Sequence, residues 1–279
     1  MAYGQLDITY KIGLGRRSHT SHIIAARASK KHKGMSSVAG IRRMTAQSTV
    51  FMVCDVQERF ASVIYQFPAL VHTSTFMAAS ARVLGVPMLV TEQYPKAFKH
   101  TVPELRAAMG LVSTDGGGDE KTEEGAAGGG AGAGAGSSAG SSEGGGGVRV
   151  FEKTKFSMCT PEVNTALAET SATAAVIFGL EAHVCVQQTC LDLLAMGIDV
   201  HIVVDAVSSQ RVLDRSTALE RMKTAGAVLT TAESVVMTLL EDSKHPNFRE
   251  VAALLKVRWG GGVGAVGAGW EVCAAVRCL

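Results

Sequence analysis

From Ala174 to Ala206 the chain reads AAVIFGLEAHVCVQQTCLDLLAMGIDVHIVVDA. AAVIFG is a continuous apolar run of strand length without alternation, the pattern of a strand buried on both faces. HVCVQQTCLDLLAM follows with helical character and is closed by Gly197, the residue type preferred just beyond a helix C-terminus. DVHIVVDA then returns as a second strand. Strand, helix and strand in this order make a right-handed βαβ unit, and therefore a parallel pair.

The same reading extends in both directions. TVFMVC, ending at Asp55, is another fully buried strand, followed by a helix from about Pro68 to Leu84 that stops at Gly85. VPMLVT and VRVFEK read as the second and third strands, and a helix begins near Thr160, with Pro161 suited to its first turn. Beyond the fifth strand come a helix from Leu213 to Ala225, a short strand AVLTT, and helices over Glu233 to Glu241 and Asn247 to Lys256. Six strands alternating with helices predict an α/β fold, a three-layer doubly wound sandwich on a six-stranded parallel sheet, Rossmann-like with order 3-2-1-4-5-6. In that order ligands sit outside the carboxyl ends of the strands where the order reverses, between strands 1 and 4. Asp55 and the segment GLEAHVC both fall there.

The 279 residues are an average over unlike segments. Fifteen of the 31 glycines fall between Gly116 and Gly147. That tract, set here as 113–147, cannot bury enough apolar surface to offset its ordering entropy and is expected to be a disordered insertion between strands 2 and 3. No GxGxxG leads from a strand into a helix, which excludes a dinucleotide or phosphate loop there. Residues 1–47 hold nine Lys and Arg against one acidic residue, so the total of +2 leaves −6 for the remainder. A basic, Ser- and Ala-rich segment nearly free of acid has the composition of an organellar transit peptide or of a disordered arm. The expected domain is 48–257, with 258–279 a Gly-rich tail. No apolar run approaches the roughly 18 residues of a membrane span. An acidic body argues against a nucleic-acid partner. Six cysteines without CxxC spacing favour free thiols in a reducing compartment. The expected location is intracellular: a mitochondrion or other organelle if the first segment is an address, otherwise the cytoplasm.

Cys185, near the start of a helix, sits where the backbone dipole and unpaired N–H groups stabilise a thiolate. Cys190, five residues on, reads as a buried, inert cysteine. Asp55 ends an apolar strand, where a carboxylate must be paired or change its proton affinity. Lys153 or Lys155 closes the third strand with a cation; two apart, they share one side of it, and spacing does not separate them. His183 is a poor partner for Cys185, because residues two apart on a helix do not face each other, and it reads as a wall residue. The histidines form no metal set, and TEQYPKAFKHT pairs no Asp with His at ligand spacing, so no metal and no cofactor are expected.

The blocks FMVCDVQERF, VTEQYPK, EKTKFSM, FGLEAHVCVQQTCLDLL, VHIVVDAVSSQ and KHPNFREVAALLK, in that order, resemble the isochorismatase-like cysteine hydrolases, and most closely the eukaryotic isochorismatase domain-containing proteins. The resemblance covers about Ser48 to Lys256 apart from the glycine tract. It implies a catalytic triad of Asp55, Lys153 (rather than Lys155) and Cys185. It implies a cis peptide at Leu180-Glu181, with the Glu181 and Cys185 N–H groups forming an oxyanion hole, and a homo-oligomer. The metal motif of nicotinamidases is absent, and Cys185 is out of place in true isochorismatases, whose vinyl-ether hydrolysis needs an acid. The expected function is a small-molecule hydrolase working through an acyl-enzyme on an amide-type C–N bond, with pocket residues Gln57, Phe60, Tyr94, Phe156 and His183. A catalytically idle scaffold or a redox-sensing thiol protein on the same fold is the alternative.

Overall fold

A computed structural model describes residues 44–111 and 147–260 of the chain. The basic segment up to residue 43, most of the glycine tract and the residues after 260 lie outside the described residues. Six strands, β1 (Thr49–Cys54), β2 (Met88–Gln93), β3 (Val148–Lys153), β4 (Ala174–Gly179), β5 (Asp199–Val207) and β6 (Val228–Thr230), form one sheet in the order β3-β2-β1-β4-β5-β6. Every pairing within it is parallel. The helices are α1 (Phe67–Leu84), α2 (Pro95–Phe98), α3 (Pro103–Met109), α4 (Pro161–Thr170), α5 (Gln187–Ala195), α6 (Val212–Ala225), α7 (Ala232–Leu240) and α8 (Phe248–Gly260), and they cover both sides of the sheet.

The two central strands follow their unalternated sequences. All six residues of β1 and all six of β4 are buried. Phe51 meets Phe178 across the pair edge-to-face at 6.0 Å, a contact worth about 0.5–1.5 kcal/mol beyond burial. Each fully buried Val, Ile, Phe or Met here contributes roughly 1.5–3 kcal/mol by leaving water. The helix signals act as read: α4 starts under Thr160, whose hydroxyl accepts from Val163 N at 3.3 Å, and α1 ends on Gly85 with φ +69°.

Four local features depart from the sequence reading. The loop expected after β2 contains α2 and α3, each opened by a proline, with α3 closed by Gly110 at φ +77°. The helix expected from His183 begins instead as a π turn over Ala182–Val186, in which Val186 N reaches back to Glu181 O at 3.2 Å, and only then becomes α5. Ordered chain starts before Ser48: Met44 is buried, and Thr45 and Ser48 cap a short 3₁₀ turn reciprocally. Helix α8 runs four residues past Lys256, and Arg258 is drawn in by Asp205 at 2.6 Å and by the face of Phe76.

Candidate active site

The carboxyl ends of β1, β2, β3 and β4 bring the candidate residues together. Asp55 is the first residue past β1 and takes a left-handed backbone, φ +51°. Its own N–H donates to Thr91 O on β2 at 3.1 Å, and its carbonyl accepts from Gln57 N at 2.9 Å. Lys153 is the last residue of β3, two strands away. Neighbouring strands are about 4.8 Å apart, so only a long side chain laid across β2 reaches Asp55. The ammonium does so, with Nζ 2.7 Å from Asp55 Oδ2.

That ammonium is fully engaged. It also donates to Gln93 Oε1 at 2.6 Å and to the carbonyls of Phe156 at 2.9 Å and Lys155 at 3.2 Å. Lys155 turns outward to Cys159 O and Asp192. Geometry thus separates two lysines that strand spacing could not. Asp55 Oδ1 accepts from Thr91 Oγ1 at 2.8 Å, and the Cys185 sulfur lies within 4.8 Å of a carboxylate oxygen.

Burial pushes the Asp55 carboxyl above its ordinary value of 3.8, against the opposing pull of the Lys153 ammonium and of its hydrogen bonds. Burial works against the charge on Lys153, but the charge and hydrogen bond of Asp55 help to outweigh it, and the ammonium is held above 10.5. The result is a carboxylate of raised basicity clamped on a permanent cation, with a thiol beside it.

Cys185 is 7% exposed and lies in the π turn just before α5. Its carbonyl accepts from Thr189 Oγ1 at 2.7 Å, and the same hydroxyl accepts from Met158 N at 2.8 Å, tying this turn to the loop after β3. The Leu180-Glu181 peptide ahead of it is cis. Glu181 sits at the rim, its carboxylate accepting from the backbone and side chain of Gln210.

The pocket residues divide. Tyr94 and Phe156 are half exposed and flank Lys153 through their backbones, Tyr94 N donating to Lys153 O at 2.9 Å. Phe60 stacks on Phe98 at 5.0 Å. His183 shares a hydrogen bond with Ser209 Oγ at 3.0 Å and makes no reach to Cys185. Gln57 is not a wall: it is wholly buried, and its amide is spent on Gln93 N, Gln93 O and Lys99 O, because a buried amide left without partners would be costly. It fixes the strand end that carries Gln93.

Sequence reasoning missed Thr91, Gln93 and, above all, Cys54. In a regular strand Cys54 and Asp55 would point to opposite faces, but the left-handed turn at Asp55 breaks the alternation. The Cys54 and Cys185 sulfurs and an Asp55 oxygen all lie within 4.8 Å of one another. Cys54 Sγ is 3.6 Å from Asp55 Oδ2. Burial, a hydrogen bond with Cys185 and the charge of Asp55 keep Cys54 a neutral thiol. Two thiols and a carboxylate are donors a soft metal accepts, yet the Lys153 ammonium already sits on that carboxylate.

Comparison with known proteins agrees with this architecture. The isochorismatase domain model matches residues 49–234. Isochorismatase domain-containing protein 1 of Danio rerio is 37% identical over 221 residues, 79% of this chain and 65% of that protein, so the chain spans under two thirds of that relative's length. Isochorismatase domain-containing protein 2 of Danio rerio is 36% identical over 78% of this chain and 92% of its own. The solved structure of MAR1 ribonuclease from Caenorhabditis elegans superposes with a TM-score of 0.62 at 38% identity, covering 77% of this chain and 92% of that one. The matched segment begins on the first residue of β1, ends within α7 and takes in all four strand ends that build the site. On sequence and architecture together, the chain belongs to the isochorismatase domain family.

Proposed function

We propose that the chain is a small-molecule hydrolase in which Cys185 is the nucleophile, Asp55 its base and Lys153 the cation that positions and electrostatically steadies the pair. Asp55 takes the thiol proton as Cys185 Sγ attacks the carbonyl of an amide-type C–N bond. The backbone N–H groups of Glu181 and Cys185 face the developing oxyanion. Asp55 returns the proton to the leaving nitrogen, and water then releases the acyl group. Lys153 donates no proton, because its hydrogen bonds are spent on Asp55, Gln93 and two carbonyls. Tyr94, Phe156, Phe60 and His183 wall the substrate, and the active species is a homo-oligomer without cofactor, working inside the cell.

One observation carries this reading: a buried carboxylate of raised basicity that has the Cys185 sulfur within 4.8 Å of one of its oxygens and is held at 2.7 Å by an equally buried lysine. The test is turnover of a panel of small amides, ureides and esters. Cys185→Ala should lose about 10³-fold or more in kcat/KM on any substrate found, and brief incubation of wild type should leave an acyl adduct on Cys185 by mass spectrometry. No turnover and no adduct across the panel would favour an idle scaffold.

The pH profile gives a second expected result. Asp55 must be ionised to act as base, so kcat/KM falls as pH falls through its folded-state value. Since that value is raised, the acid limb should lie above pH ~4, the ordinary carboxylate range. A limb at or below that range would remove Asp55 from the role.

The name of the Caenorhabditis elegans relative, MAR1 ribonuclease, gives a specific second reading, cleavage of RNA. The net charge of −6 outside residues 1–47 weighs against it. A labelled single-stranded RNA belongs in the same panel, and its cleavage by wild type but not by Cys185→Ala would displace the amide reading.

A further inference from the structure

The mechanism leaves one nucleophilic group at the site unused. Cys54 lies at the end of β1, is completely buried, and places its sulfur within 4.8 Å of that of Cys185. Cys54 and Cys185 are 131 positions apart in the chain, and the pairing of β1 with β4, Cys54 opposite Gly179, brings them together. We infer that Cys54 is the resolving thiol of a reversible oxidation: a hydroperoxide converts Cys185 to a sulfenic acid, and Cys54 closes it into a Cys54–Cys185 disulfide. This rests on the reading of Cys185 as the reactive nucleophile.

The steps balance. Asp55 takes the Cys185 proton and the thiolate attacks one peroxide oxygen; the S–O bond forms, the O–O bond breaks, and the leaving hydroxide or alkoxide takes that proton back from Asp55 to depart as water or alcohol. Cys54 sulfur then attacks Cys185 sulfur. The S–S bond forms, the S–O bond breaks, and the Cys54 proton, relayed through Asp55, whose Oδ2 is 3.6 Å from that sulfur, goes to the leaving hydroxide, which departs as water. Two thiols lose two electrons, and the hydroperoxide gains them. A small dithiol reverses the exchange.

The position of the partner matters more than its presence. Cys185 is 7% exposed and Cys54 not at all, so Cys185 meets the oxidant first and Cys54 sees only the sulfenic acid. The disulfide would occupy the sulfur that attacks substrate and take away the proton donor facing Asp55, so oxidation would switch the site off and protect Cys185 from irreversible overoxidation. Neither of the other described thiols is placed for this. Cys190 lies within α5 and is fully buried, its thiol pushed up to about 12 by burial, and Cys159 is held near Ser157 after β3. Neither belongs to the cluster formed by Cys54, Asp55 and Cys185.

The experiment is hydrogen peroxide titration of the intact chain, followed by denaturing alkylation and non-reducing peptide mapping. Wild type is expected to lose about 2 Da and to yield one cross-linked peptide pair containing Cys54 and Cys185, which dithiothreitol dissolves. Cys190→Ala should behave as wild type, while Cys54→Ala should carry sulfinic or sulfonic acid on Cys185 instead. The wild-type map decides the matter even if Cys54→Ala fails to fold. Cys185 running to sulfinic acid in wild type without the cross-link, or pairing with Cys190 or Cys159, would overturn the assignment of Cys54 and leave the nucleophile intact. Cys185 left untouched while other thiols oxidise would overturn the proposal and the reactive-nucleophile reading together. Absence of turnover with the cross-link present would fell the hydrolase reading alone.

Discussion

Lys153→Met is expected to destabilise the folded chain by about 3–5 kcal/mol, the usual cost of removing one partner from a buried ion pair. Asp55 and Lys153 have side chains 2% and 0% exposed and meet at 2.7 Å. With the ammonium gone, Asp55 retains the hydrogen bonds from Thr91 and Cys54 but no charge to balance it. Gln93 Oε1 and two carbonyls lose their donor at the same time. Combining Lys153→Met with Asp55→Leu should recover much of the loss, because an apolar pair in place of a buried ion pair is close to neutral. Urea unfolding of wild type, both single variants and the double closes the cycle. If Lys153→Met costs under about 1 kcal/mol, the pair is solvated in a way its burial does not allow.

The pH dependence of that loss has a fixed sign. Asp55 is raised already with Lys153 present, and removing a cause that lowers it can only raise it further. Between its unfolded value near 3.8 and its folded value, the folded chain keeps a proton that the unfolded chain has released, so stability from this group falls as pH rises through that window. The deficit of Lys153→Met should therefore be smallest in mild acid, where Asp55 is neutral, and largest near neutrality. A deficit independent of pH would place its origin in lost packing of the lysine stem rather than in the charge.

The sheet and its order were legible because the apolar runs are long, free of alternation, and punctuated by Gly85, Gly197 and Pro161 at helix ends. The two short helices after β2 were not, although Pro95, Pro103 and Gly110 mark their ends, because a helix of four or seven residues carries too few apolar positions to show a period. At the site, the sequence supplies Asp55 and Cys185 from the strand ends, and resemblance to the family supplies the choice of Lys153. It does not supply the roles of Gln57 and Cys54. Gln57 looks like a polar wall until its hydrogen bonds to the backbone of Gln93 and Lys99 are seen. Cys54 looks like one more core thiol until the backbone of Asp55 turns left-handed beside it. Both depend on contacts across tens of residues that no local pattern encodes.

Gly179→Ala is expected to have the larger structural effect of the two. Gly179 ends β4 with φ +124°, and a Cβ built there would lie 2.0 Å from Cys54 O and 2.8 Å from both Cys54 C and Cys54 N. All three are backbone atoms of the adjacent central strand, so no side-chain rotation relieves the overlap. The same Cys54 carbonyl accepts from Leu180 N at 2.7 Å, and Cys54 is the registered partner of Gly179 in the ladder. Making room means parting β1 from β4 where Asp55 leaves one and the turn carrying Cys185 leaves the other. The cost should exceed about 4 kcal/mol, the range reached by few single substitutions, and the melting temperature should fall by roughly 8–16 °C if the protein folds at all. Gly197→Ala is the control that separates clash from backbone preference: its φ is +80°, but nothing lies within 4 Å of the added carbon. It should cost only about 1–2 kcal/mol, the penalty of a left-handed alanine. Thermal unfolding of the two variants side by side decides the matter. Equal losses would mean that β1 and β4 part without much cost, and the rigid seating of Asp55 against Cys185, on which the proposed chemistry depends, would have to be given up.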